Sequence, residues 1–293
     1  MIKKARILIV ILFIAAAVVF FANRSYEKRT SDFIAPAITA ESDKLEASVG
    51  VTDEELLQGM TATDNLEGDV TGTLVVASRS KFIRPNVVKI HYAAFDKNNN
   101  VGTFTRELTY TDYVSPRFYL KAPLCYIDSA NRDASQILNS LYATDCIDGD
   151  LTQQIMVTQG DTEQIGEGVV AQNVTLQVSN RTGDTTVLNL RVRFEDYNVF
   201  NQLKPHLKNY LIYHKADQVA PSLLRYVDGI GYGNKITSLV DMGFTSADVR
   251  ADYSSVDFKT PGVYEATFTL TKLLENGARQ DLGTSIMIVI VED

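Results

Sequence analysis

A ten-residue phrase that occurs twice constrains this chain more than any other feature. Ala62-Thr63-Asp64-Asn65-Leu66-Glu67-Gly68-Asp69-Val70-Thr71 returns 81 residues later as Ala143-Thr144-Asp145-Cys146-Ile147-Asp148-Gly149-Asp150-Leu151-Thr152. Six of the ten positions are identical, and Leu/Ile, Glu/Asp and Val/Leu are conservative exchanges. The flanks recur in the same order. Asp53-Glu54-Glu55-Leu56-Leu57 precedes the first copy and Asp133-Ala134-Ser135-Gln136-Ile137-Leu138 the second, with a fainter third version at residues 221–227. Asp112-Tyr113 closes the first unit and Asp196-Tyr197 the second. Ordered self-similarity at nearly constant spacing means tandem copies of one structural unit.

Within each unit the apolar pattern has period two, the signature of half-buried strands. Residues 87–95 and 103–110 alternate around a turn at Asn98-Asn99-Asn100. The second unit repeats the pair at 169–178 and 187–194 around residues 180–184, and the third at 262–270 and 284–291 around Glu275-Asn276-Gly277. The Leu-Leu segments read as short helical turns closing one end of each unit. The predicted fold class is therefore all-β, with three tandem β-sandwiches over residues 36–117, 118–197 and 198–293. Placed end to end, they would reach on the order of 100 Å.

The order of Leu-Leu segment, Ala-Thr-Asp-x-x-(Asp/Glu)-Gly-Asp-(Val/Leu)-Thr phrase and paired hairpin resembles the tandem bacterial Ig-like domains of unknown function found on surface proteins. Tyr253 to Tyr264, with Pro261-Gly262 turning the chain into a strand, resembles the later strand pair of that family. The likeness is strongest for residues 36–117, weaker for 118–197 and weakest for 198–293. In the third unit, Asp228-Gly229-Ile230-Gly231-Tyr232-Gly233 stands where the acidic phrase belongs. The resemblance implies display or adhesion and no reaction.

The amino terminus carries a different signal. Lys3, Lys4 and Arg6 precede an unbroken apolar run over residues 7–22, which ends at Asn23-Arg24. A helix of that length spans roughly 24 Å, close to the ~30 Å of a bilayer core, and flanking basic side chains can reach the headgroups. Residues 1–30 read as an uncleaved signal-anchor, a single-pass transmembrane helix at the cell membrane. A cleaved secretory signal ending near Ala15-Ala16-Ala17 is the rival, but the apolar run continues past that point. Basic residues tie across the segment, with Arg24, Lys28 and Arg29 on the far side. The short leader places the amino terminus in the cytoplasm and residues 31–293 outside.

The whole chain has 28 Lys+Arg against 36 Asp+Glu, a formal charge of −8. The anchor takes more than its share of the basic residues, so the remainder is more acidic still. That balance disfavours nucleic acid as a partner, because phosphate binding needs clustered Lys and Arg.

Catalytic signatures are missing. His206 and His214 lack the His-Glu-x-x-His spacing of a zinc protease, and His91 falls within a strand. Ser78-Arg79-Ser80-Lys81 has no companion motifs, and no strand-and-helix frame makes residues 229–233 a phosphate cradle.

Three sets of residues remain as candidates. Asp64, Glu67 and Asp69, and likewise Asp145, Asp148 and Asp150, cluster around a glycine and suit Ca²⁺, the one cofactor the sequence suggests. The same residues suit a plain turn, with Gly68 and Gly149 at positive φ and Asp oxygens accepting backbone N–H groups. Cys125 and Cys146, both in the second unit, are candidates for a disulfide closing a loop of about 20 residues, worth about 3 kcal/mol; two separate thiols are the alternative. Tyr232 is the best-placed aromatic for a ligand.

Two functions fit. One is a membrane-anchored spacer, scaffold or adhesion module meeting an envelope polymer or another surface protein. The other is a carbohydrate-binding accessory protein of an exopolysaccharide or cell-wall assembly system, for which the absence of Trp is unfavourable.

Overall fold

The computed structural model describes residues 2–30, 32–129 and 132–293; in the first helix, side chains are described for residues 9–25. Helix α1 (Ile2–Thr30) opens the chain. Its apolar side chains are exposed along the described stretch, from Ile9 at 64% to Phe21 at 64%, with only Ala17 half-buried. The side chains of Lys3, Lys4, Arg6, Lys28 and Arg29, on which the orientation reading rests, lie outside the described residues. Among the described residues, no helix is long and apolar enough to cross a membrane.

The rest is β-sheet joined by short turns, as the period-two pattern predicts. The first set of strands is β1 (Ala37–Ala40), β2 (Lys44–Ala47), β3 (Met60–Asp64), β4 (Gly68–Asp69), β5 (Val75–Arg79), β6 (Val87–Phe95) and β7 (Val101–Tyr110). They form a β1-β3-β4 sheet and a β2-β7-β6-β5 sheet. The second set is β8 (Arg117–Leu120), β9 (Cys125–Ile127), β10 (Leu141–Asp145), β11 (Gly149–Asp150), β12 (Met156–Gly166), β13 (Val169–Ser179) and β14 (Thr185–Glu195), in sheets β11-β10-β8 and β12-β13-β14-β9. The third is β15 (Leu203–Leu207), β16 (Leu211–Lys215), β17 (Val227–Tyr232), β18 (Lys235–Thr237), β19 (Val249–Asp252), β20 (Gly262–Leu273) and β21 (Arg279–Glu292), in sheets β15-β17-β18 and β16-β21-β20-β19. In every set the second strand runs parallel to the seventh. The third copy keeps this connectivity although its acidic phrase has become strand β17, which bulges at Asp228.

Alternation explains the strands. In β6, Val88, Ile90, Tyr92 and Ala94 are buried while Lys89 is exposed. In β14, Leu188, Leu190, Val192 and Phe194 point inward between exposed Val187, Asn189 and Arg191. β-Branched and aromatic side chains fill such a pleated, half-buried surface well. The expected helical turns also form. Helix α2 (Asp53–Leu56) starts at a capping box in which the Glu55 N–H donates to the Thr52 hydroxyl and the Thr52 N–H to the Glu55 carboxylate. Leu56 is fully buried, and the Tyr92 hydroxyl donates to its carbonyl at 3.0 Å. Single 3₁₀ turns at Ala134–Asn139 and Leu223–Tyr226 bury Ile137 and Leu223 in the corresponding way.

Residues 1–113 and 114–293 are two compact units. Inside the latter, the second and third sandwiches share one apolar core, running from Phe118 and Leu120 to Tyr210, Phe268 and Met287. The Phe118 N–H donates to the Tyr213 hydroxyl at 2.9 Å, and the Tyr210 N–H to the Leu120 carbonyl at 3.1 Å. Arg117, on the first strand of this unit, is ion-paired with Glu292, on its last. The pair is therefore folded back on itself. The end-to-end reach expected from sequence does not hold for these two sandwiches, because strand ends that the sequence places 175 residues apart meet.

Candidate functional site

The acidic phrases are turns in both copies. Asp64 Oδ1 accepts the N–H groups of Leu66 and Glu67, each at 2.9 Å, and Asp69 Oδ1 accepts that of Thr71. Asp145 Oδ1 does the same with Ile147 and Asp148, and Asp150 Oδ1 with Thr152. Gly68 and Gly149 sit at φ 74° and 73°, the left-handed region open to glycine. The Glu67 N–H outweighs burial in holding the Asp64 carboxyl below its usual range. The side chain and N–H of Thr71 hold Asp69 down, as those of Thr152 do for Asp150. Glu67 accepts the Lys97 N–H and pairs with its ammonium at 3.7 Å; Asp148 accepts the Arg181 N–H and pairs with its guanidinium at 3.1 Å. Glu67 and Asp69 serve the turn, the reading the sequence offered beside Ca²⁺ ligation.

Asp64 does have acidic neighbours, from other loops. Its carboxylate gathers with those of Asp32, in the segment after α1, and Asp96, at the β6–β7 turn, and their oxygens lie within 4.8 Å of one another. All three residues are buried, at 8%, 7% and 8% exposure for Asp32, Asp64 and Asp96. Asp32 Oδ1 accepts the Ile34 N–H, and both Asp96 oxygens accept from Asn100. Asn100 Nδ2 also donates to the Asp32 carbonyl at 3.0 Å. The segment lies so close to β7 that a Cβ at Gly102 would sit 2.0 Å from the Pro36 carbonyl oxygen. The second copy places Asn180 opposite Asp145, its Nδ2 donating to Asp145 Oδ2 at 3.0 Å. Sequence reasoning reached Asp64 but missed Asp32 and Asp96. Spacing alone would not have marked them: Asp112 stands four residues before Pro116 as Asp32 does before Pro36, yet it is exposed and accepts the Val49 N–H.

The second unit contains a cleft of about 580 Å³ between its two sandwiches. Leu124, Tyr126, Ile236 and Ile288 supply apolar walls, and Gln136, Arg191, Arg193, Glu195, Lys204 and His206 supply polar ones. Glu195 is 1% exposed and held by the Lys204 ammonium and the Arg193 guanidinium, the latter at 3.4 Å. Cys125 also lines the cleft, with Lys204 Nζ 3.9 Å from its sulfur. Burial, with Glu195 adding to it, pushes its thiol up to about 12. A thiol held protonated in this way is a poor nucleophile. His206 Nδ1 meets Asp228 Oδ1 at 2.7 Å, His91 pairs with Thr105, and His214 stacks edge-on against Phe258.

In place of the disulfide considered between Cys125 and Cys146, the structure has two separate thiols, the alternative the sequence left open. Cys125 lies in β9 opposite Arg193, whereas the Cys146 sulfur donates to the Val114 carbonyl at 3.2 Å. The two thiols face different partners. Tyr232 ends β17 at 49% exposure; its neighbours Gly231 and Gly233 line the cleft and it does not.

No protein-family model matches the chain, and no curated protein matches it. Among solved structures it is similar to the CBM51-2 and INT domains of ZmpB from Clostridium perfringens, at 12% identity and a TM-score of 0.21, covering 87% of this chain and 44% of that one. The extracellular domain of protocadherin gamma B4 is similar at 10% identity and TM-score 0.20, covering 88% and 49%. A lipoprotein from Bacteroides thetaiotaomicron is similar at 12% and 0.19, covering 86% and 98%. The chain thus spans less than half the length of the first two.

Proposed function

We propose that this protein is a membrane-anchored, extracytoplasmic interaction module that scaffolds or adheres without catalysis. The observation that carries the reading is the exposed apolar surface of α1, from Ile9 to Phe21 with only Ala17 half-buried, ahead of sheets packed around their own apolar cores. An apolar helix without a protein partner gains most by entering lipid. The raised Cys125 thiol and the engagement of the histidines with Thr105, Asp228 and Phe258 support a role without chemistry. Carbonate extraction of membranes, followed by protease treatment of intact cells, tests it. The chain should stay in the pellet and residues 32–293 should be digested from outside; release by carbonate, or digestion only after lysis, would refute it.

The cleft favours a second reading, recognition of a carbohydrate. Apolar walls beside Gln136 and Arg191 match the mixed faces of a sugar ring, and Lys121, Arg191, Arg193 and Lys204 outnumber Glu195 in the lining. A glycan array probed with the detergent-solubilised chain tests this. Binding lost in Gln136→Ala and Arg191→Ala would support it, and a blank array would leave scaffolding alone.

A further inference from the structure

We infer that Asp32, Asp64 and Asp96 form a calcium site that fastens the segment following α1 to the first sandwich. The three carboxylates are each more than nine-tenths buried, and their oxygens converge within 4.8 Å. Asp32 Oδ2 and Asp64 Oδ2 are buried and accept no hydrogen bond among the described residues. None of the three has an ion-pair partner among those residues; the neighbouring Lys97 is turned to Glu67. Buried anionic oxygens so close together are strongly disfavoured unless a positive charge lies between them.

The second copy of the fold is an internal control. There an amide, Asn180, faces the corresponding Asp145 and satisfies its Oδ2 with a hydrogen bond. The first repeat thus has a carboxylate where the second has a neutral donor, and Asp32 joins it from the preceding segment, whereas Asp112, at the same spacing before the second repeat, is exposed and accepts the Val49 N–H. The donors are all carboxylate oxygens, with no His or Cys, which selects a hard cation. Oxygens within 4.8 Å of one another can all reach one ion at a Ca–O distance of about 2.4 Å, and donors from three separate parts of the chain suit the adaptable calcium shell better than the strict octahedron of magnesium. With Gly102 already admitting Pro36 against β7, an ion here would hold residues 32–36 in place. The inference stands whether or not α1 enters a membrane, so the two can fail separately.

The test is calorimetric titration of the chelator-treated full chain in detergent with CaCl₂, paired with melting curves. One saturable site and a rise in melting temperature are expected. Asp96→Asn, which installs the amide used in the second repeat and so preserves folding, should weaken binding at least about tenfold and abolish the rise, as should Asp32→Asn. Glu67→Gln and Asp69→Asn should leave affinity within about twofold. The inference is overturned by no heat and no melting shift at about 10 mM Ca²⁺, by binding that survives Asp96→Asn and Asp32→Asn, or by equal affinity for Mg²⁺.

Discussion

The Asp145–Asn180 pair allows the cost of a second buried carboxylate to be worked out. Asn180 Oδ1 accepts from the Thr182 hydroxyl at 2.6 Å and the Asp184 N–H at 3.0 Å, while Nδ2 donates to Asp145 Oδ2 at 3.0 Å. Asn180→Asp preserves both accepted bonds and the shape, and removes only the donor. Both sites are buried, at 6% and 7% exposure. Losing a hydrogen bond to a charged group costs about 1.5–3 kcal/mol. Two carboxylates about 4 Å apart repel by about 4 kcal/mol at an effective dielectric constant of 20. Proton uptake limits the total, since a protonated new carboxyl can again donate to Asp145. Holding such a group neutral at pH 7 costs about 4 kcal/mol, and at pH 5 about 1.5 kcal/mol. The folded variant would bind a proton that the unfolded chain releases, so its deficit is largest at neutral pH and shrinks as pH falls towards 4. Urea unfolding followed by circular dichroism at pH 7 and pH 5 measures both values. A deficit under about 0.5 kcal/mol at pH 7, or one of equal size at the two pH values, would refute the reasoning.

Other expectations follow from single contacts. Tyr213→Phe strands the buried Phe118 N–H where the second and third sandwiches meet, and should cost about 1–3 kcal/mol in the same urea assay. Gly102→Ala drives a methyl group into the Pro36 carbonyl oxygen and should lower first-unit stability by about 1–3 kcal/mol, read as faster proteolysis near residues 32–36. Iodoacetamide at pH 8 should label exposed Cys146 and spare Cys125, whose thiol is raised to about 12; both should react once the chain is unfolded without reductant.

The parts that were legible in the sequence are those written locally. Residues 87–95 and 169–178 declare themselves as strands by short runs rich in β-branched residues with alternation over part of their length, and β6 and β13 fall there within a residue. The capped turn at Asp53 and the glycine turns at 68 and 149 depend on neighbours a few positions away. The three-carboxylate cluster was only one-third legible because its members come from a connector, a turn and a hairpin, each 32 residues from the next. Glu67 and Asp69 look like ligands by proximity in sequence, yet backbone donors and Lys97 engage them first. The cysteine pair misled in the same way, since loop length sets the entropy of a bridge and says nothing about which way the thiols face. The fold-back of the last two sandwiches was hidden because Arg117, Tyr213 and Glu292 belong to no repeated phrase.

The Arg117–Glu292 clasp also bears on how tension would travel. Chain enters the second unit beside the strand on which that unit finishes. A pull applied between residues 114 and 293 would therefore load the junction of the two sandwiches first: the Arg117–Glu292 pair, the Phe118–Tyr213 and Tyr210–Leu120 hydrogen bonds and the shared apolar core. Because the cleft lies at that same junction, stretch would open it before either sandwich unfolded, so that whatever the cleft holds would be released under mechanical load.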